Sequence, residues 1–350
     1  MSKINLVAVL LILLISCKKT VINEEIYEGD LIIHNQADVE KIKGQKIVQI
    51  TGDLIIEASY LNNYKTNISD LTSLKNIKKV NGKLKISMVD AVTNIDFLES
   101  ITEVGGQLGI FSNKNLISIA SLKNLESVGE LAIVNNNNLI SISSIGQIKL
   151  KSGGFRLDGN ELIEQLPMFK NWIEVPGDVL ISNNAALENL SGFLNTTKIN
   201  GDLEILGNFK LSTLEGLNNL KEVKGNLSIG FIGEAGNKIL TSLKGLEKLE
   251  RVGESLYIVE CHVLTNIFEL KNLKYVGSKL SIDGNELISS LEGLNNVTNV
   301  NSIIIARNRE LRNYCAIKSL IGTVVLGINN FNIFSNASNP SIDQIINECK

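Results

Sequence analysis

The sequence predicts an all-β solenoid, a parallel β-helix of about 12–13 coils with a short C-terminal helical cap. Three observations carry this. The strand-like alternation V-x-G-x-L-x-I returns along the chain, mostly at 23 or 24 residues. An asparagine stands five residues after its Leu in most copies. Aromatic residues are only 5% of the 350 and prolines number three, which suits many short stacked turns better than one bulky core. With 44% hydrophobic and 20% charged residues the chain is no disordered tail, and a formal net charge of −3, with Lys and Arg scattered singly, offers no basic stripe to nucleic acid.

The first residues lie outside the repeat. "MSKINLVAVLLILLISCKK" has a Lys near its start, an apolar run from Leu6 to Ile15, and then Cys17. The run is too short to span a bilayer and has the form of a signal-peptide core. Leu14-Ile15-Ser16-Cys17 resembles the lipobox of bacterial lipoproteins, in which the Cys is lipidated and becomes the mature N-terminus. The resemblance implies lipid attachment at Cys17, export, and a hold on the outer membrane through the lipid, facing the cell surface or the periplasm. An ordinary secretory signal with a chance Cys is the other reading. The chain divides into a signal peptide (1–16), a lipidated N-terminus and tether (17–27), the solenoid (28–330) and a cap (331–350).

Each coil begins on the strand. The Leu of its L-x-I core falls at Leu31, Leu54, Leu84, Leu108, Leu131, Phe155, Val179, Leu203, Leu227, Leu256, Leu280, Ile303 and Leu326. Alternation about that Leu gives a short strand with one face buried. Glycine before it (Gly52, Gly82, Gly106, Gly177, Gly201, Gly225) is expected to permit a sharp turn into the strand. The asparagines after it (Asn113, Asn136, Asn160, Asn184, Asn208, Asn285, Asn308) are expected to form a buried ladder that satisfies the turn backbone and pairs from coil to coil. Beyond the ladder, apolar residues recur in steps of three, as in Leu116, Ile119, Leu122, Leu125 and Val128, which reads as extended segments turning corners. Two longer spacings place insertions, "EASYLNNYKTN" and "GFIGEAGNK", right after a core strand.

The run V-x-G-x-L-x-I-x-x-N-x-x-L-x-S-L-x-G-L-x-N-L resembles the receptor L-domain type of leucine-rich repeat, known from growth-factor receptor ectodomains and from surface lipoproteins of Bacteroidota-like bacteria. The similarity extends over roughly residues 27 to 330. It implies a right-handed β-helix that presents binding surfaces, without fixing the ligand.

Cysteines and rare residues have bland explanations. Cys261 occupies a ladder position and is expected to be a buried thiol. Cys315 and Cys349 bracket the cap, where a disulfide would tie the final helix, opened by a Ser341/Gln344 capping box, to the last coil. Trp172, in the irregular stretch "LIEQLPMFKNWIEVPG", falls in a buried column; a larger core residue accounts for it, and a sugar platform is the alternative. His34 and His262 read as surface or turn histidines, and no catalytic, metal-binding or cofactor motif is found. Asp178, Asp202 and Glu204 with Arg156 are the one carboxylate cluster a polysaccharide-cleaving β-helix could use, but a turn-capping Asp also explains that position at Asp53.

Function is therefore expected on the outward columns of the strands. Phe111, Val134, Arg156, Leu180, Glu204, Leu206, Tyr257 and Val259 are the candidate ligand-binding residues, apolar side chains on a flat face expected to be solvated. The reading is a non-catalytic adhesion or binding module for a protein or glycan ligand, with no cofactor, metal or nucleic acid; an envelope scaffold or uptake accessory subunit is the runner-up, and an enzyme ranks last. Replacing Cys17 with Ala is expected to leave the protein exported but unlipidated, since thioether formation needs that sulfur. Retention of the variant in the membrane fraction after a high-salt wash would count against the anchor.

Overall fold

The computed structural model describes residues 24–58, 67–231, 236–321 and 330–349. The apolar leader with Cys17, the last repeat position Leu326, most of the first insertion and the middle of the second lie outside the described residues. What is described is mostly β, with long parallel sheets and few helices.

The L-x-I strands stack in register. Leu131 pairs with Phe155, Phe155 with Val179, Val179 with Leu203, and so on through Leu227, Leu256, Leu280 and Ile303 to Phe331, always in parallel. Short strands just before the glycine corner stack likewise, for example Lys198–Ile199 on Glu174–Val175. Two long strands, Glu103–Phe111 and Ser127–Val134, run through the corner and join both legs into one sheet, of seventeen strands among the described residues; five further first-leg strands form a second sheet. Inward residues of both legs form one continuous core, nearly all fully buried. Each large aliphatic side chain so buried stabilises the fold by roughly 1.5–3 kcal/mol.

The corner after the strand is built from two residues. The first has a left-handed backbone in coil after coil: Met88, Ser112, Asn135, Gly159, Asn183, Gly207, Glu260, Gly284 and Arg307 all have φ between 52° and 70°. The second is the ladder asparagine. Each of the seven is fully buried. The Asn184 backbone N–H donates to Asn208 Oδ1 at 3.2 Å, and its side-chain amide donates to Leu157 O one coil back (3.0 Å) and to Ser182 O (2.9 Å). Its own Oδ1 accepts from the Asn160 N–H at 3.2 Å. Asn237 and Asn336 extend the same ladder, and Cys261 stands in it with its N–H donating to Asn285 Oδ1. A second, outer row of amides repeats the device: Asn124, Asn171, Asn219, Asn272 and Asn296 each donate to a carbonyl of the preceding coil.

Several expectations are corrected. The corner glycines Gly52, Gly82, Gly106, Gly177, Gly201 and Gly225 do not adopt positive φ. They are needed because coils touch there: a Cβ on Gly177 would sit 2.7 Å from the Gly154 nitrogen, and one on Gly201 2.7 Å from the Asp178 nitrogen. The steps of three beyond the ladder include 3₁₀ turns, among them Asp96–Leu98, Ala120–Asn124 and Phe268–Asn272, whose three residues per turn put every third side chain inward. Both solenoid boundaries move outward. Glu25–Tyr27, assigned to the tether, pairs with Ile47–Ile50, and Phe331–Phe334, assigned to the cap, adds a strand beside Ser302–Ala306.

The cap itself is the helix Ile342–Glu348, with a capping box between Ser341 and Gln344. Cys349 is disulfide-bonded to Cys315, and the Lys318 ammonium donates to the Cys349 carbonyl. The irregular coil is filled by aromatics: Trp172 is buried, stacks on Phe169 with ring centroids 3.6 Å apart, and donates from Nε1 to Ile148 O. It is unavailable to a sugar.

Asn184→Ala is expected to destabilise the protein by about 1–3 kcal/mol, because it strands buried donors and acceptors on two neighbouring coils. Asn195→Ala, at an exposed position, serves as control. Equal melting temperatures for the two variants would show that the ladder does not carry this energy.

Candidate functional site

The outward side of the sheet has two columns. Strand register places Arg156, Leu180, Glu204, Ser228, Tyr257, Ser281 and Ile304 in one and Phe111, Val134, Asp158, Ser182, Leu206, Val259 and Asp283 in the other. Neighbours in a column stand about 4.8 Å apart. At that spacing they shield one another: Val134, at 8% exposure, is buried and is corrected as a candidate, and Val259, at 5%, shows only the edge that meets the hollow beside it. Phe111 is only partly exposed because its ring lies across Gly109, where a Cβ would come within 2.1 Å of it. Arg156 is exposed and bound to Asp158 at 2.7 Å.

The face is not flat. Small residues on the two sides of the Tyr257 strand, Ser228 and Gly230 on one and Ser281 on the other, leave hollows beside the larger side chains. The result is a cleft of about 510 Å³. Glu204, Leu206, Tyr257 and Val259, all named from the sequence, line it; Phe111, Val134, Arg156 and Leu180 stand further along the sheet and do not. Phe231, Lys279 and Asp283 complete it and were missed. The available signal was the small outward residues Ser228 and Gly230 on one side of Tyr257 and Ser281 on the other.

Gly230 is fixed there by its backbone, with φ +77° and a Cβ position 1.9 Å from Val259 O. The floor of the cleft therefore tolerates no side chain at that point.

The carboxylates near the cleft differ in their engagement. Asp178 Oδ1 accepts the Asp202 N–H and Asp202 Oδ1 accepts the Asn226 N–H, at 2.8 and 2.7 Å, so both cap the next coil's backbone. Asp53 Oδ1 does the same for Lys83. Asp158 is different again: burial alone would raise its carboxyl, but hydrogen bonds from Arg156, Ser182 and Asn183 hold it below its ordinary value. Glu204 is pushed the other way, first by burial and then by the like charges of Asp202 and Asp178, with only a weak opposing pull from Arg156.

The remaining reactive groups are quiet. Burial pushes the Cys261 thiol up to about 12. His262 Nδ1 stands 3.9 Å from Glu286, and His34 Nδ1 lies 3.2 Å from Glu57 O. Among the described residues no three His, Cys, Asp or Glu side chains converge as a metal site.

The Receptor L domain family matches residues 48–151 of the chain. Together with the long parallel sheets this supports a receptor L-domain-like, parallel β-solenoid fold. The matched segment ends before the cleft. No curated protein matches the chain.

A carboxyl raised by folding holds its proton more readily in the folded chain than in the unfolded one. Its contribution to stability is full at low pH and is lost as pH rises through the raised value. Glu204→Gln, an isostere of the protonated form, is therefore expected to raise the melting temperature at neutral pH, and the gain should vanish on acidification through the glutamate range. An equal gain at both pH values would show that the group is not destabilised by its surroundings, which are Asp178, Asp202 and Arg156 beside it and Lys279 and Asp283 across the cleft.

Proposed function

We propose that the protein is a non-catalytic binding or adhesion module of the cell envelope, exported, held to the membrane by lipid on Cys17, and presenting the outer face of its long sheet to a protein or glycan ligand. In this reading the solenoid is right-handed and has about 12–13 coils. The observation that carries the proposal is the cleft. It opens on the outward face of the long sheet, is about 510 Å³, and combines Tyr257, Phe231 and Leu206 with a few polar groups, the composition of a recognition site. The match of the receptor L domain to part of the chain favours a module that presents a surface. The engagement of Asp178 and Asp202 with backbone N–H groups favours a structural role for the carboxylates that a β-helix enzyme would use.

The test is binding to glycan and extracellular-matrix protein arrays. The parent protein is expected to bind at least one class saturably. Tyr257→Ser, which removes a wall, and Ser228→Trp, which fills the hollow, should each abolish that binding while leaving the circular dichroism spectrum unchanged. Binding that survives both substitutions would move the site off the cleft. No binding at all, with a stable partner on co-purification, would support an envelope scaffold instead.

A further inference from the structure

Two carboxylates line the cleft, and only one is neutralised. Asp283 is held by Arg307 through hydrogen bonds of 2.7 and 2.9 Å. The Glu204 carboxylate has no hydrogen bond and no ion pair among the described residues. The cation in its own column, Arg156, stands two strands away, about 10 Å by strand spacing, and is committed to Asp158. Lys279 belongs to a strand three places along in the other direction, about 14 Å by the same spacing. Asp178 and Asp202 add negative charge on the near side. A partly buried carboxylate in such a place is destabilised until a cation arrives.

The rest of the cleft suits what such a cation would be carried on. Leu206 and Val259 form an apolar wall, the floor at Ser228 and Gly230 leaves room for a chain without branches, and the Tyr257 ring stands two strands from Glu204. An alkyl stem buried against leucine and valine, with its charged end near a carboxylate and an aromatic ring, is how lysine and arginine side chains are held. A neutral sugar would bring hydroxyl groups but no counter-charge.

We propose that the cleft receives a lysine or arginine side chain projected from a protein ligand, its cation paired with Glu204 and its stem lying along Leu206 and Val259. This rests on the sheet face being the binding surface and narrows the ligand to a protein with a protruding basic side chain.

The experiment is a titration of the full-length protein with three short peptides, acetyl-Gly-Lys-Gly-amide, its arginine counterpart and its uncharged norleucine counterpart, followed by the NMR signals of Ser228, Gly230 and Tyr257. Saturable shifts are expected with the basic peptides and none with norleucine. Affinity should fall about tenfold or more in Glu204→Gln, which keeps the shape of the site, and should weaken with added salt. Equal shifts with norleucine, no shift with either basic peptide, or affinity unchanged in Glu204→Gln would overturn the proposal. If it fails while array binding still depends on Tyr257 and Ser228, the binding face stands and only the nature of its ligand changes. If array binding is also indifferent to those residues, both readings fall.

Discussion

Every coil must turn sharply after its core strand, and the turn buries backbone groups that no water reaches. The asparagine ladder meets that requirement. One side chain accepts from the N–H of the coil before it, donates back to a strand carbonyl of that coil, and donates to its own strand two residues earlier. An amide is the smallest side chain that can donate twice and accept at once. Because each asparagine is bonded to the next, a coil cannot shift by one residue without breaking two corners. Along the coils that carry it, this contact reinforces the register that aligns the core.

Alignment also sets the shape of the outer face. Once strands are locked in register, a side chain on that face has fixed neighbours above and below, and its size becomes the only remaining variable. Large residues in succession cover each other, as Phe111 and Val134 do. Small residues on either side of Tyr257 make a hollow without disturbing the core beneath, since Ser228 and Ser281 lie on strands whose inward residues are fully buried Leu227, Ile229, Leu280 and Ile282. The shape of the outer face and the packing of the core are thus set on opposite faces of the same short strands.

Much of the fold is legible in the sequence because the repeat is periodic along the chain. The L-x-I strands, the seven asparagines and the buried place of Trp172 all follow from spacing. What spacing does not report is contact between coils. The corner glycines are required by the backbone of the coil alongside, not by their own dihedral angles, and only three dimensions show that. The left-handed residue before each asparagine could have been found from the pairs Asn135-Asn136, Gly159-Asn160, Asn183-Asn184, Gly207-Asn208 and Gly284-Asn285, although Met88, Glu260 and Arg307 adopt the same conformation with no such signal. Steps of three fit an extended path and a 3₁₀ turn alike, so the period alone could not separate them. For the site, alternation identified the outward columns, but burial of Val134 and Val259 and the hollow at Ser228 depend on the sizes of neighbours some 24 residues away.

The single thiol in the ladder bears on how the chain acquires its correct covalent form. Besides Cys17 there are three cysteines, Cys261, Cys315 and Cys349, which allow three pairings, of which one closes the cap. Cys261 is fully buried, and the high value of its thiol leaves almost no thiolate at neutral pH. Once the coil around it has zipped onto its neighbours it is withdrawn from exchange, and only the productive partners remain to be oxidised. The protection belongs to the folded solenoid alone: a chain oxidised before its coils have stacked would have all three thiols within reach of one another.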